Sequence, residues 1–236
     1  MTDRRAELAR ARDYPYGNPG RSFTWRGGAV GVFDPESRQG RMPVLAIGSN
    51  QSPEQLTRKF GDTGEIPVQR AWLRDFDVCY SAHVTRYGAV PAMLQRAPGT
   101  VVSLAVTWLD EAQLAIMHDS ETAAANYEFA AIEGVSLVLD CGIEMDTVPL
   151  YVGLHGHLVA GGAAIPLSAI GATGRHGAAM TTGQVLDLVR RRVAPDEDSG
   201  AFVLRLIDDD DFRAACTERI AADAVPFGYP VRKLAV

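Results

Sequence analysis

Two groups of residues in this chain of 236 amino acids have types and spacing suited to chemistry. The first is the loop Gly48-Ser49-Asn50, which follows the apolar run 43–47. Glycine lets the backbone approach a ligand closely, and successive N–H groups before a helix can bind a carboxylate or a developing oxyanion. The second is Glu121, at the end of a segment with helical apolar spacing, where a carboxylate can serve as a general base. The residues therefore indicate an anion-binding loop and a proton-transfer group.

Other catalytic and metal-binding motifs give weaker signals. The chain has no G-x-S-x-G, H-E-x-x-H, Walker or G-x-G-x-x-G motif. The pair His155-x-His157 lacks a nearby carboxylate or third histidine, and the run 208–211 is typical of a solvated helix start. The sequence therefore predicts no metal site.

Composition and charge exclude several classes of protein. With 47% hydrophobic and 22% charged residues, the chain is globular, and its net charge of −6 argues against nucleic-acid binding. No secretory signal and no run of about 18 apolar residues is visible, so we expect no membrane segment. Three cysteines, far apart in sequence, indicate free thiols in a reducing compartment. A cytoplasmic protein is predicted.

The helix after the loop carries clear local signals. Ser52 is a suitable N-cap, Pro53 fits the first helical position, and Gln55 has the spacing of a capping-box partner. We expect this helix to continue through Phe60 and to end at Gly61.

Further elements follow from periodicity and turn residues. Helices are expected at 111–121, after Asp110, at 181–193 and within 198–220. About six strands are expected, with Trp72, Phe76, Val78 and Tyr80 on one face of the strand region 67–84. Many strands with few helices between them predict an α+β fold with a mixed or closed sheet.

The chain divides into three segments. Residues 1–40 are interpreted as an N-terminal extension that wraps or frays, and residues 43–193 as the main domain. Residues 194–236 form a C-terminal helical extension with a wide apolar stripe. This extension is expected to pack on the domain or on a second subunit, which leaves a homodimer open.

The order of these motifs resembles the gamma-glutamyl cyclotransferase-like family. The order is a strand followed by Gly48-Ser49-Asn50, an aromatic-rich strand at Phe76, the segment Gly88–Leu94, the segment Pro98–Leu109, and a helix closing on Glu121. The resemblance covers about residues 43–193. It implies a small mixed β-barrel flanked by helices, with the loop and the glutamate facing each other across a cavity.

The resemblance also implies an activity. The α-amine of a γ-glutamyl substrate attacks its own γ-carbonyl, which yields 5-oxoproline and an amine without metal or cofactor. Glu121 would be the general acid and base. The residues implied to bind this small molecule are Ile47, Gly48, Ser49, Asn50, Tyr127 and Tyr151.

The chain departs from the family pattern at several of these positions. Ile47 stands where the family has a tyrosine, Thr122 where it usually has glycine, and Phe129 where an arginine is common. Tyr127 and Tyr151 are candidate equivalents of family aromatics. Two alternatives stay open: an accessory domain or hydrolase for amide or urea compounds on the same fold, and a small-molecule-binding module without catalysis. The presence of Glu121 favours an enzyme, whereas Ile47 favours a binding module.

Overall fold

The computed structural model describes residues 3–122 and 126–235. The six helices of these residues are α1 Arg4–Arg12, α2 Pro53–Phe60, α3 Glu111–Thr122, α4 Thr182–Val193, α5 Ser199–Asp208 and α6 Asp210–Ala221. The strands are β1 Phe23–Arg26, β2 Ala29–Val32, β3 Met42–Ala46, β4 Glu65–Tyr80, β5 Ala92–Leu109, β6 Tyr127–Leu139, β7 Glu144–Gly153, β8 Val159–Ala160, β9 Ala163–Ala164, β10 Ala172–Thr173 and β11 Arg232–Lys233.

Strands β3 to β7 close into a five-stranded barrel. Strand β5 pairs antiparallel with both β3 and β4, and β6 pairs antiparallel with both β4 and β7. The barrel closes through a parallel contact of Leu45 in β3 with Leu150 in β7. The predicted α+β fold with a mixed β-barrel flanked by helices is therefore confirmed.

The N-terminal segment wraps onto the barrel. Strand β1 pairs with β4, so that Phe23 lies opposite Val68, and β2 extends the sheet beyond β1. Tyr14 and Tyr16, between α1 and β1, are both buried in the core. Burial of these aromatic side chains stabilises the wrapped arrangement.

The C-terminal segment packs on the same core. Helices α5 and α6 bury five side chains there, namely Phe202, Val203, Leu206, Cys216 and Ile220. The apolar stripe expected from the sequence thus lies against the chain's own domain. The three cysteines are free, and Cys141 is exposed whereas the other two are buried.

A bulge in β4 corrects the expected strand faces. Asp75 has a positive φ of 66°, and the pairing with β5 shifts between Arg74 and Phe76. An extra residue in one strand reverses the alternation of its side chains. Trp72 is therefore 42% exposed, while Phe76 is buried.

The cap of α2 also differs from the expectation. The helix ends at Phe60, and Gly61 follows with a φ of 72°, as predicted. Ser52 is the N-cap residue, but its side chain makes no capping hydrogen bond. The Ser52 N–H donates to the Ser49 carbonyl over 2.8 Å, so this N–H is not free to bond the Gln55 side chain. The predicted capping box is therefore wrong.

Two further observations concern the residues 3–122 and 126–235. No helix within these ranges is long and apolar enough to span a bilayer. The same residues contain no group of three or more His, Cys, Asp or Glu side chains arranged to hold a metal ion.

Candidate active site

A cavity of about 550 Å³ opens beside the end of β3. Its wall includes every site residue singled out from the sequence, namely Ile47, Gly48, Ser49, Asn50, Glu121, Tyr127 and Tyr151. The barrel brings them together because β3, β6 and β7 are neighbours in the closed sheet, and α2 and α3 pack beside them.

The loop of the cavity is a short 3₁₀ turn between β3 and α2. The turn spans Ser49–Gln51, where the Gln51 N–H donates to the Gly48 carbonyl over 3.4 Å. The first N–H groups of such a turn precede any carbonyl partner within it. Among the described residues, no carbonyl accepts the Asn50 N–H, and Asn50 lines the cavity.

Close packing explains why glycine precedes this turn. A Cβ atom on Gly48 would lie 2.3 Å from the Tyr14 hydroxyl oxygen and 3.0 Å from the Ala92 Cβ. Both distances are shorter than a normal van der Waals contact. Any larger residue at position 48 must therefore displace the wall of the cavity.

Glu121 lies near the C-terminal end of α3 and lines the cavity. The Asp110 side chain accepts the Gln113 N–H over 2.9 Å at the start of the helix, as the sequence indicated. At the other end, Glu121 Oε1 accepts a hydrogen bond from Asn50 Nδ2 over 2.9 Å. The loop and the carboxylate are thus in direct contact.

Lys59 of α2 forms an ion pair with the same oxygen, Glu121 Oε1. The Lys59 and Glu121 side chains are only 9% and 14% exposed, so water screens the pair weakly. Glu121 Oε2 has no partner among the described residues. Sequence reasoning missed Lys59, although it is one of only two lysines in the chain and lies on the helix after the loop.

The two tyrosines expected at the site contribute rings more than free hydroxyls. The Tyr127 hydroxyl donates to the Ala92 carbonyl over 3.4 Å, and the Tyr151 hydroxyl lies 2.8 Å from His118 Nδ1. Burial raises the pKa of both phenols above the usual value near 10. Both side chains therefore remain neutral and engaged with the protein.

Tyr14 is a site residue that sequence reasoning did not select. The Ala92 N–H donates to its hydroxyl oxygen over 2.9 Å, and the Ser49 N–H also approaches that oxygen. Among the described residues, no acceptor takes the proton of this hydroxyl. Burial raises the pKa of Tyr14, so the group remains a neutral O–H donor at the cavity wall.

Comparisons with known proteins give only remote likenesses. No protein-family model and no curated protein matches the chain. A solved structure described as gamma-glutamyl cyclotransferase is 16% identical, covers 80% of this chain and 90% of its own, and has a TM-score of 0.40. An uncharacterized protein from Homo sapiens is 15% identical over 81% of this chain and 92% of its own, with a TM-score of 0.41. A protein from Arabidopsis thaliana is 20% identical over 49% of this chain and 70% of its own, with a TM-score of 0.37.

The charge of the cavity indicates the kind of molecule that it can bind. Glu121 is the only carboxylate on its described wall, whereas five cationic side chains line it, namely Arg10, Arg58, Lys59, Arg86 and Arg213. Lys59 pairs with Glu121, and Arg58 and Arg213 pair with Glu54 and Asp210, which lie outside the wall. Arg10 and Arg86 form no salt bridge among the described residues, and these two cations can attract an anion. The arrangement can therefore hold a ligand with a carboxylate near the loop and exchange a proton with it at Glu121.

Proposed function

We propose that this protein is a cyclotransferase that acts on a γ-glutamyl amide or peptide and releases 5-oxoproline and an amine. The observation that carries the proposal is the hydrogen bond from Asn50 Nδ2 to Glu121 Oε1. It joins the Gly48–Asn50 loop to the Glu121 carboxylate in one cavity, and Oε2 of that carboxylate has no partner among the described residues.

The proposed reaction uses these groups in sequence. Glu121 takes a proton from the α-ammonium of the substrate, and the freed α-nitrogen attacks the γ-carbonyl carbon. A new C–N bond closes the five-membered ring. As the lactam forms, the ring nitrogen loses a second proton, and the two protons that it loses in all pass to the leaving nitrogen through Glu121. The C–N bond to that nitrogen breaks, and the products are 5-oxoproline and an amine that leaves as its ammonium ion.

The loop supplies the electrostatic part of this reaction. The γ-carbonyl oxygen gains negative charge while the ring closes, and the Asn50 N–H is a donor without a carbonyl partner among the described residues. The Tyr14 O–H is a second donor on the same wall. Because the attack is intramolecular, the cavity needs mainly to orient the chain of the substrate.

The cations on the wall suit the carboxylate of the proposed substrate. The head of a γ-glutamyl compound is a zwitterion, and its α-carboxylate can pair with cations such as Arg10 and Arg86 on the cavity wall. An amide or urea compound without a carboxylate would form no such ion pair. The charge of the cavity therefore favours the γ-glutamyl class.

The ion pair of Lys59 with Glu121 specifically favours a second candidate, a binding module without catalysis. In that function the lysine neutralises the carboxylate permanently, and the cavity only holds an anionic molecule. The two candidates differ in whether a bond is made and broken.

The experiment that tests the proposal is release of 5-oxoproline from a panel of γ-glutamyl amides, amino acids and peptides, measured by mass spectrometry. The variant Glu121→Gln and the matched variant Asp119→Asn, an exposed carboxylate on the same helix, are assayed beside the unmodified protein. Release that is lost only in Glu121→Gln supports the cyclotransferase. Thermal stabilisation by these compounds without release would support the binding module and contradict the cyclotransferase.

A further inference from the structure

His83 is a buried group in the cavity wall that the reaction above does not use. It lies just beyond the end of β4, is 2% exposed, and lines the cavity. Its Nδ1 is 2.9 Å from the Ser81 hydroxyl oxygen. The ring contacts the rings of His155 and Tyr127, at centroid distances of 4.6 Å and 5.8 Å. Its Nε2 is buried without a partner among the described residues.

The surroundings of the ring define its protonation. Burial, with a smaller contribution from His155, lowers the pKa of His83 to about 3, so the ring is neutral near pH 7. The Ser81 hydroxyl donates to the Gly156 carbonyl over 3.4 Å. In the tautomer with the proton on Nδ1, the Ser81 oxygen accepts that N–H, and the lone pair of Nε2 is left as a hydrogen-bond acceptor.

A short series of contacts connects His83 to the loop. The Tyr127 ring, against which His83 packs, donates through its hydroxyl to the Ala92 carbonyl. The Ala92 N–H in turn bonds Tyr14, whose hydroxyl lies against Gly48. His83 and the loop thus belong to adjoining parts of one wall.

A buried acceptor without a donor is unfavourable unless a water or a bound molecule supplies the donor. We propose that His83 is a substrate-binding residue whose Nε2 accepts a hydrogen bond from an N–H group of the molecule in the cavity. The assignment rests on the proposed function, in which that N–H belongs to the α-nitrogen of the glutamyl unit and becomes the lactam N–H of the product. Because so weak a base does not hold a proton near pH 7, His83 positions this nitrogen and Glu121 takes its proton.

The test compares two ligands that differ in one group. 5-Oxoproline has a lactam N–H, and 5-oxotetrahydrofuran-2-carboxylate, its lactone analogue, has a ring oxygen at that place. Their dissociation constants are measured by calorimetry near pH 7 for the unmodified protein and for His83→Asn, His83→Gln and His155→Asn. Asparagine can retain a bond to Ser81, and glutamine can place an amide near the position of Nε2. His155 is the matched control because it contacts the His83 ring and reaches the cavity wall only indirectly, through a hydrogen bond with Asn126.

We expect the unmodified protein and His155→Asn to bind the lactam about 10-fold more tightly than the lactone, the ratio expected for one hydrogen bond to a buried acceptor. The ratio should fall to about one in His83→Asn and recover in part in His83→Gln. Melting curves check that each variant is folded. A lactam preference that persists in His83→Asn, or no preference in the unmodified protein, would overturn the assignment of His83 alone. Failure of the unmodified protein to bind either ligand would overturn the proposed function together with it.

Discussion

Asn50 and Glu121 are 71 positions apart in the chain, and a hydrogen bond of 2.9 Å joins the Asn50 amide to Glu121 Oε1. Lys59 pairs with the same oxygen. Two donors on one oxygen fix the orientation of the carboxylate, and Oε2 has no partner among the described residues. The closed barrel makes this possible because it brings the end of β3 beside the end of α3.

The ion pair of Lys59 with Glu121 should contribute to stability as well as to orientation. Removing one partner leaves the other charge largely shielded from water, so Lys59→Met should lower the free energy of unfolding by about 3 kcal/mol. The double variant Lys59→Met, Glu121→Gln should lose less than the sum of the single variants, with a coupling energy of at least about 1 kcal/mol. Urea denaturation of all four proteins measures this cycle.

The pair Arg58–Glu54 on α2 is the control for that cycle. These side chains are 33% and 52% exposed, and an exposed pair one helical turn apart should show a coupling energy below about 0.5 kcal/mol. Equal coupling energies for the two pairs would contradict a special role for the shielded ion pair.

Gly48→Ala should disturb the wall through Tyr14. The added Cβ would meet the Tyr14 hydroxyl at 2.3 Å, so we expect a loss of about 1–3 kcal/mol in the free energy of unfolding and weaker ligand binding. Tyr14→Phe removes that oxygen, and the nearest ring carbon is 3.4 Å from the position of the added Cβ. The stability cost of Gly48→Ala should therefore be smaller in the Tyr14→Phe background. If the double variant loses the sum of the unfolding free energies that the two single variants lose, the added Cβ clashes with Ala92 instead of Tyr14.

The neutral state of His83 should make stability depend on pH. Its pKa is about 3 in the folded chain and about 6.5 in an unfolded chain, so below pH 6.5 only the unfolded state gains the proton. Stability is fully present above pH 6.5 and falls as the pH is lowered toward 3. Between pH 6.5 and pH 5 the loss due to His83 is about 1.6 kcal/mol.

This dependence can be measured by urea denaturation at several pH values. His83→Asn should lose less stability than the unmodified protein between pH 6.5 and pH 5, since the titrating group is gone. Because burial also lowers the pKa values of His118, His155 and His157, the difference between the two proteins is the relevant quantity. Parallel pH profiles would contradict the buried neutral state of His83.

Local signals allowed the framework of the site to be predicted from the sequence. The apolar run before Gly48 predicted β3, Pro53 and Gly61 marked the ends of α2, and Asp110 marked the start of α3. Each signal depends on residues within one turn of the element that it defines. The positions of the loop and of Glu121 could therefore be predicted.

Features that depend on distant contacts could not be predicted in the same way. Tyr14 and His83 reach the cavity only because the N-terminal segment wraps and β4 ends beside it, and neither lies in a recognisable motif. The bulge at Asp75 and the bond from the Ser52 N–H to Ser49 are likewise set by the folded backbone. Contacts between residues distant in sequence determine these details, and they override the local conformational preferences of the sequence.

Turnover of Glu121→Gln per folded molecule is the most direct test of the proposed cyclotransferase. The variant keeps the shape and a hydrogen-bonding head but cannot accept the proton, so 5-oxoproline release should fall about 10²–10⁴-fold. Substrate binding should change much less, because the loop and the cationic wall remain. Asp119→Asn, with its melting curve measured in parallel, should keep the rate of the unmodified protein. A folded Glu121→Gln protein whose rate stays within a few-fold of the unmodified protein would contradict a role for Glu121 in proton transfer.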